Sequence, residues 1–233
     1  MTTAATALRT LFEQCRDMDA SLNERLEALA DGVCRIDKGF AGAVDRIVLR
    51  LRQSGAGESA PHVGDPMPPF ILPDETGHLV SLDGLLRNGP VAITFHRGHW
   101  CPYCRISMNA LAHAQRAIAP GRGQIVAIMP ERQRYAEEIK AEAAATFPVL
   151  TDMDNGYAMS LNLAFWVDAE MQRFIAEAGR DVPSYQGNEY WMFPIPATFV
   201  VGRDGLITTR FVDPDYRRRM AIDDMLQALE AAR

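Results

Sequence analysis

The chain is an α/β sandwich, a mixed sheet flanked by helices, preceded by an N-terminal helical arm. Three observations predict this. Short apolar runs alternate with helical periodicity between residues 91 and 150, a glycine-centred hairpin lies near the C-terminus, and the first fifty residues repeat apolar positions by threes and fours. Interleaved strands and crossover helices make parallel pairs, and the final hairpin makes an antiparallel one.

From Leu8, the apolar positions Leu11, Cys15, Met18, Leu22, Leu26, Leu29, Val33, Ile36, Phe40, Ala43, Ile47 and Leu51 fall on one helical face. Gly32, Gly39 and Gly42 interrupt the pattern, so it divides into two or three helices. That face either packs on its own chain or forms a coiled-coil seam with a second copy, which would make a homodimer. Residues 54–61, SGAGESAP, read as a linker, placing the arm at 1–57 and the main domain at 58–233.

Beyond the linker, GDPMPPFILPDETGHLVSLDGLL gives short extended pieces joined by a turn at Glu75 to His78, then a brief helix. The expected order is then strand 91–96, helix 102–119, strand 124–129, helix 131–145 and strand 147–150. A helix capped by Asp154 follows. Strands at 197–201 and 206–211 make the hairpin, and a helix at 221–232 closes the chain. PGRGQ at 120–124 is a turn, since it lacks the third glycine and preceding strand of a dinucleotide loop.

The 233 residues carry 24 Lys and Arg against 30 Asp and Glu, a net charge of −6. A nucleic-acid or anionic-membrane surface needs a basic patch able to displace counterions, and the only tight basic run is Arg217, Arg218 and Arg219. No apolar stretch is long enough to span a bilayer, and the N-terminus has no secretory pattern. The expected setting is cytoplasmic, where paired cysteines serve redox or metal chemistry more often than structure.

Of the four cysteines, Cys101 and Cys104 form a CxxC at a strand-to-helix junction, in VAITFHRGHWCPYCRISMNAL. There, unpaired backbone N–H groups and the helix dipole favour a thiolate, and Pro102 suits the first helical turn. Arg97 and Arg105, with His96 or His99, add positive charge. A structural zinc site would need a second ligand pair at matching spacing, and the sequence holds no other CxxC, CxxH or HxxxH, so no metal or cofactor is expected. Cys15 and Cys34 read as small core residues of the arm.

GDPMPPFILPDETGHLVSLDGLL, GPVAITFHRGHWCPYC, FPVLTDMDN, PIPATFVVGRDGLI and FVDPDYRRR together resemble the peroxiredoxin-like branch of the alkyl hydroperoxide reductase and thiol-specific antioxidant family. The resemblance implies a thioredoxin-like fold and a thiol-dependent oxidoreductase that reduces hydroperoxides through a dithiol/disulfide cycle. It implies no metal or cofactor and an electron donor that is thioredoxin-like or a low-molecular-weight thiol. It also makes Pro196 resemble the cis-proline facing the dithiol, and makes Arg97, Trp100 and Pro196 the candidate substrate-binding residues beside the catalytic pair Cys101 and Cys104.

The chain also departs from that family. Counting from Phe95, Cys104 falls at the peroxidatic cysteine, Cys101 at the usual Thr, Arg97 at the usual Pro, and Pro196 where the distant Arg is often found, so one of four positions is retained. CPYC is the tetrapeptide of dithiol glutaredoxins, and a disulfide oxidoreductase with little peroxidase activity is the alternative. A redox sensor acting through the arm is a third reading. As a peroxidase, Cys104 attacks and Cys101 resolves; in disulfide exchange, Cys101 attacks and Cys104 resolves. Arg97 either stands in for the missing Arg or is a loop cation. The aromatic-rich segment 163–194 either roofs the dithiol or covers a sheet edge.

Overall fold

A computed structural model describes residues 3–232. The arm is three helices, α1 (Thr3–Arg16), α2 (Leu22–Ile36) and α3 (Lys38–Gln53). The breaks lie away from the glycines. Ser21 and Glu24 form a reciprocal capping box that starts α2, and the Asp37 carboxylate accepts from the Phe40 N–H at 2.9 Å to start α3. Gly32 is instead a contact residue inside α2, where a Cβ would come within 2.5 Å of the Leu11 side chain. The arm's apolar face is taken up within the chain: Phe12, Leu26, Leu29, Val44 and Ile47 belong to the same buried cluster as Phe95, Cys101 and Cys104. Buried Arg25 ties α1 to the main body, its guanidinium donating to Cys15 O at 3.1 Å, to Arg16 O and to Asn109 Oδ1 at 2.9 Å.

The remaining elements in chain order are β1 (Ile71–Pro73), β2 (Leu79–Ser81), α4 (Leu82–Leu86), β3 (Val91–Phe95), α5 (Pro102–Gln115), β4 (Gln124–Met129), α6 (Gln133–Ala143), β5 (Val149–Thr151), α7 (Gly156–Ser160), β6 (Ala164–Trp166), α8 (Ala169–Glu177), α9 (Val182–Gln186), β7 (Met192–Pro194), β8 (Ala197–Val201), β9 (Ile207–Val212) and α10 (Ile222–Ala231). The main sheet has five strands in the order β5-β4-β3-β8-β9. β3 runs parallel to β4 and antiparallel to β8, and β9 pairs antiparallel with β8. Every residue of β3 is buried, and their sides alternate. Val91, Ile93 and Phe95 face the cluster that includes the arm, while Ala92 faces a second cluster with α6 and α10.

Several element boundaries differ from the sequence reading by a residue or more, three of them for a cause visible in the structure. The helix after the CxxC ends at Gln115 rather than Ala119, in turns that lead into PGRG. The third strand starts at Val149, because Pro148 has no N–H for the ladder and contributes only its carbonyl, to Ala127 N at 3.1 Å. Asp154 is not the cap of the next helix. It sits at φ 56°, and the Asp152 carboxylate instead accepts from Tyr157 N at 2.8 Å and Ala158 N at 2.9 Å. No helix among the described residues is long and apolar enough to cross a membrane.

Candidate active site

β3 ends at Phe95, and residues 96–100 carry the chain from the sheet to Cys101, which stands at the N-cap of α5 with Pro102 at its first turn. The turn depends on Gly98, at φ 135°. A Cβ there would meet the carboxyl of Glu131, 2.9 Å from its Cγ and closer still to its carboxylate carbon. Glu131 is fully buried beneath the loop and accepts from the His99 N–H at 2.7 Å. Burial raises its pKa to about 8 against the pull of that bond.

The first turn of α5 brings the cysteines together. Both the Cys104 and Arg105 N–H groups donate to Cys101 O, at 3.0 and 3.1 Å. Cys101 is 1% exposed and Cys104 fully buried. Their ionisation is strongly asymmetric. Burial pushes the Cys101 thiol up, but the hydrogen bond from Cys104 and the charges of Arg97 and Arg219 outweigh it, leaving a pKa of about 6. Burial and the neighbouring Cys101 hold Cys104 at about 12. The shared hydrogen bond and the nearby cations thus favour the thiolate on Cys101 and the thiol on Cys104. Cys104 Sγ also accepts from the Arg97 backbone N–H at 3.3 Å and from Arg219 Nη2 at 3.7 Å.

An aromatic cage surrounds the Arg97 guanidinium, whose charge acts on Cys101. The Arg97 guanidinium lies 4.7 Å from the Trp100 ring centre, 4.9 Å from Phe193 and 3.8 Å from Tyr216, so its charge is held in place by ring faces. Trp100 packs on Phe193 at 5.0 Å and Tyr103 on Tyr216 at 5.2 Å. Phe193 comes from the 163–194 segment, where β6 and β7 pair antiparallel, so that segment contributes to the roof. Tyr216 and Arg219 come from the turn after β9. Arg217 fixes that turn by pairing with Asp215 and, at 2.8 Å, with Asp45 of α3.

Four of the five residues singled out from the sequence, Cys101, Cys104, Arg97 and Trp100, lie together. Pro196 is buried at the entry to β8, and its expected cis bond is absent: the Ile195–Pro196 peptide is trans, as is every peptide bond among the described residues. Only Ile195 and Pro196 separate β7 from β8, and the Ile195 N–H continues the β6–β7 pairing by donating to Leu163 O at 2.5 Å. No tight turn is required of the proline there. Arg105 and His99 do not serve the sulfurs either. Both bond Glu142, at 2.6 and 3.0 Å. Cys34 is exposed, not core, whereas Cys15 is buried.

Sequence reasoning missed Arg219, Tyr216 and Glu131 as parts of this site, and reached Phe193 only as one aromatic of the 163–194 segment. FVDPDYRRR marked the turn, but nothing local shows that it folds back over residues 97–104. No cluster of three or more metal-ligating side chains occurs among the described residues.

A thioredoxin-type sheet with a CxxC at the N-terminus of its main helix is the architecture of thiol oxidoreductases. The chain belongs to the AhpC/TSA family, whose model matches residues 63–210. Solved structures agree on the fold. Peroxidoxin BcpB from Mycobacterium tuberculosis matches at 22% identity and TM-score 0.53, over 73% of this chain and 97% of that one. A peroxiredoxin-like protein from Aquifex aeolicus matches at 9% identity and TM-score 0.59, over 75% and 89%. A thiol peroxidase from Chromobacterium violaceum matches at 11% identity and TM-score 0.52, over 74% and 88%. No curated protein matches the chain.

Proposed function

We propose that this protein reduces hydroperoxides through a Cys101–Cys104 dithiol/disulfide cycle in which Cys101, not Cys104, attacks. The observation that carries this is position: Cys101 stands at the N-cap of α5, where the helix N-terminus and the charges of Arg97 and Arg219 favour its thiolate, while Cys104 is fully buried inside the first turn with its Sγ accepting from the Arg97 N–H. The Cys101 thiolate attacks the peroxide O–O bond, one oxygen stays as a sulfenic acid and the other leaves as an alcohol or water. Cys104 then displaces that hydroxyl as water and closes the disulfide. Arg97 and Trp100, over the sulfurs, and Pro196, at the strand entry, are the proposed surroundings of the substrate.

Burial of both sulfurs supports a small oxidant over a protein disulfide, and supports a low-molecular-weight thiol as the donor unless the Tyr216–Arg219 turn moves aside for a thioredoxin-like partner. The cytoplasm, a reducing setting, would return the pair to the dithiol. Disulfide exchange is the second reading, favoured by Cys101 being the outer, ionised sulfur.

Steady-state peroxide consumption, supplied with a thioredoxin system or with glutathione, is measured beside reduction of a protein disulfide. Peroxide turnover exceeding disulfide reduction is expected. Disulfide reduction alone assigns the second reading, and turnover in neither assay overturns both.

A further inference from the structure

Two stretches far from the CxxC in sequence complete the surroundings of Arg97: the 163–194 segment, through Phe193, and the turn at 213–219, through Tyr216. Helix α3 of the arm binds both. At 3.6 residues per turn, its buried stripe from Ala43 to Leu51 is flanked on one side by Arg46 and Arg50 and on the other by Asp45 and Arg52. The first row meets the 163–194 segment, Arg46 pairing with Glu170 of α8 at 2.6 Å and Arg50 with Asp168 at 2.7 Å. The second row meets the turn, Asp45 pairing with Arg217 at 2.8 Å and Arg52 with Asp213 at 3.4 Å.

Each anchor lies a short stretch of backbone from a residue at the site. Asp168 follows the end of β6 by two residues and caps α8, and β6 holds β7 in a register that sets Phe165 opposite Phe193. In the turn, Arg217 adjoins Tyr216. Its guanidinium grips the Asp215 carboxylate with Nε and Nη2, both at 2.8 Å, and Arg219 Nη1 donates to the carbonyls of Tyr216 and Arg218. The turn is thus tied together internally, and its place is set from α3. It lies on the CPYC motif at two residues: Tyr216 packs edge-on against Tyr103 at 5.2 Å, and Arg219 Nη2 reaches Cys104 Sγ at 3.7 Å. Cys101 is only 1% exposed, so a reagent reaches it when part of this enclosure opens.

We propose that α3 is a brace across the active site, in which Asp45, Arg46, Arg50 and Arg52 are positioning residues that hold the 163–194 segment and the 213–219 turn closed around Arg97 and so limit the access of reagents to Cys101. A single exposed ion pair is weak, but two rows on one helix give both stretches a common scaffold. For its bearing on turnover the brace rests on the dithiol cycle above; as a control on access it does not.

The test is alkylation of the full reduced chain by iodoacetamide at about pH 10, above the ordinary thiol value of 9.0, so that the rate at Cys101 reads access rather than ionisation. Peptide mapping follows Cys101 beside Cys15, which is buried in α1, a helix with no part in these pairs, and which reports general loosening of the fold. Asp45→Arg sets a like charge against Arg217, and Arg46→Glu does the same to Glu170. Each should speed Cys101 about two- to fivefold, the worth of an exposed pair, and leave Cys15 within about 1.5-fold of the wild type. Combining Arg46→Glu with Glu170→Arg rebuilds the pair in reverse and should return Cys101 to within about 1.5-fold of the wild-type rate.

An unchanged Cys101 rate in either single variant would overturn the proposal, as would equal acceleration of Cys101 and Cys15, or a charge swap that leaves Cys101 fast. Alkylation needs no peroxide. Absence of peroxide turnover therefore overturns the hydroperoxide reading while this comparison is still read.

Discussion

Gly98→Ala probes the floor of the site. Gly98 sits at φ 135°, a backbone state that side-chain-bearing residues rarely adopt, and its missing Cβ is where the Glu131 carboxyl lies. Holding alanine at such a φ costs about 1–3 kcal/mol. Overpacking a buried contact adds about 1–3 kcal/mol more, because Glu131 is fully enclosed and has nowhere to swing. Together these predict a loss of roughly 2–6 kcal/mol, which in a chain of this size lowers Tm by roughly 4–24 °C. Relaxation of the loop would also draw the Arg97 N–H and guanidinium away from the sulfurs, raising the Cys101 pKa. Thermal unfolding of the reduced protein reads the first effect and thiolate absorbance the second. Adding Glu131→Ala removes the overlap but not the backbone cost, so the double variant should recover about half of the loss. A Tm within about 2 °C of the wild type, with Cys101 titrating unchanged, would refute the claim that this loop and Glu131 are packed against each other.

Four further outcomes follow from the same geometry. In reduced protein, the thiolate absorbance lost in Cys101→Ser should titrate near pH 6, well below the ordinary 9.0. Because the folded-state pKa is depressed, ionisation of Cys101 stabilises the reduced fold fully above pH 9. That contribution, about 4 kcal/mol at most, is lost as pH falls through about 6, and it is read as the difference in urea stability between wild type and Cys101→Ser. Arg97→Leu removes one of the cations that depress Cys101, so the thiolate fraction at pH 6 should drop about fivefold or more, measured by the same absorbance. Brief alkylation of the native protein should modify exposed Cys34 ahead of buried Cys15, with peptide mapping as the readout.

How much of this was legible in the sequence depended on how local the signal was. β4 and β8 carry their whole pattern in five or six consecutive residues, and their limits match the sequence reading. The CxxC was equally local, and so was the cation two residues beyond the strand. The Asp152 cap was obscured because Asp154 sits where a cap would be expected and only the left-handed backbone at Asp154 and Asn155 displaces it. Cys34 was misread because it sits one residue past Val33 of the apolar face and in fact shares its own face of α2 with exposed Glu27 and Asp31. Arg219 meets Cys104 across 115 residues, and Phe193 meets Arg97 from β7 of the separate two-stranded sheet. Such contacts are products of topology, and no spacing rule encodes them. The cis-proline expectation was carried by the resemblance alone, and the Ile195–Pro196 bond is trans.

The most direct measurement is on Cys104→Ser, in which the serine hydroxyl still donates toward Cys101 but cannot resolve it. The reduced variant is given one equivalent of hydrogen peroxide in the presence of a sulfenic-acid-trapping dione and mapped by mass spectrometry. The predicted result is a single adduct on Cys101, with wild-type protein treated alike yielding the Cys101–Cys104 disulfide. An unmodified Cys101 in that variant, together with an adduct on Cys104 in Cys101→Ser, would contradict the assignment of the attacking sulfur.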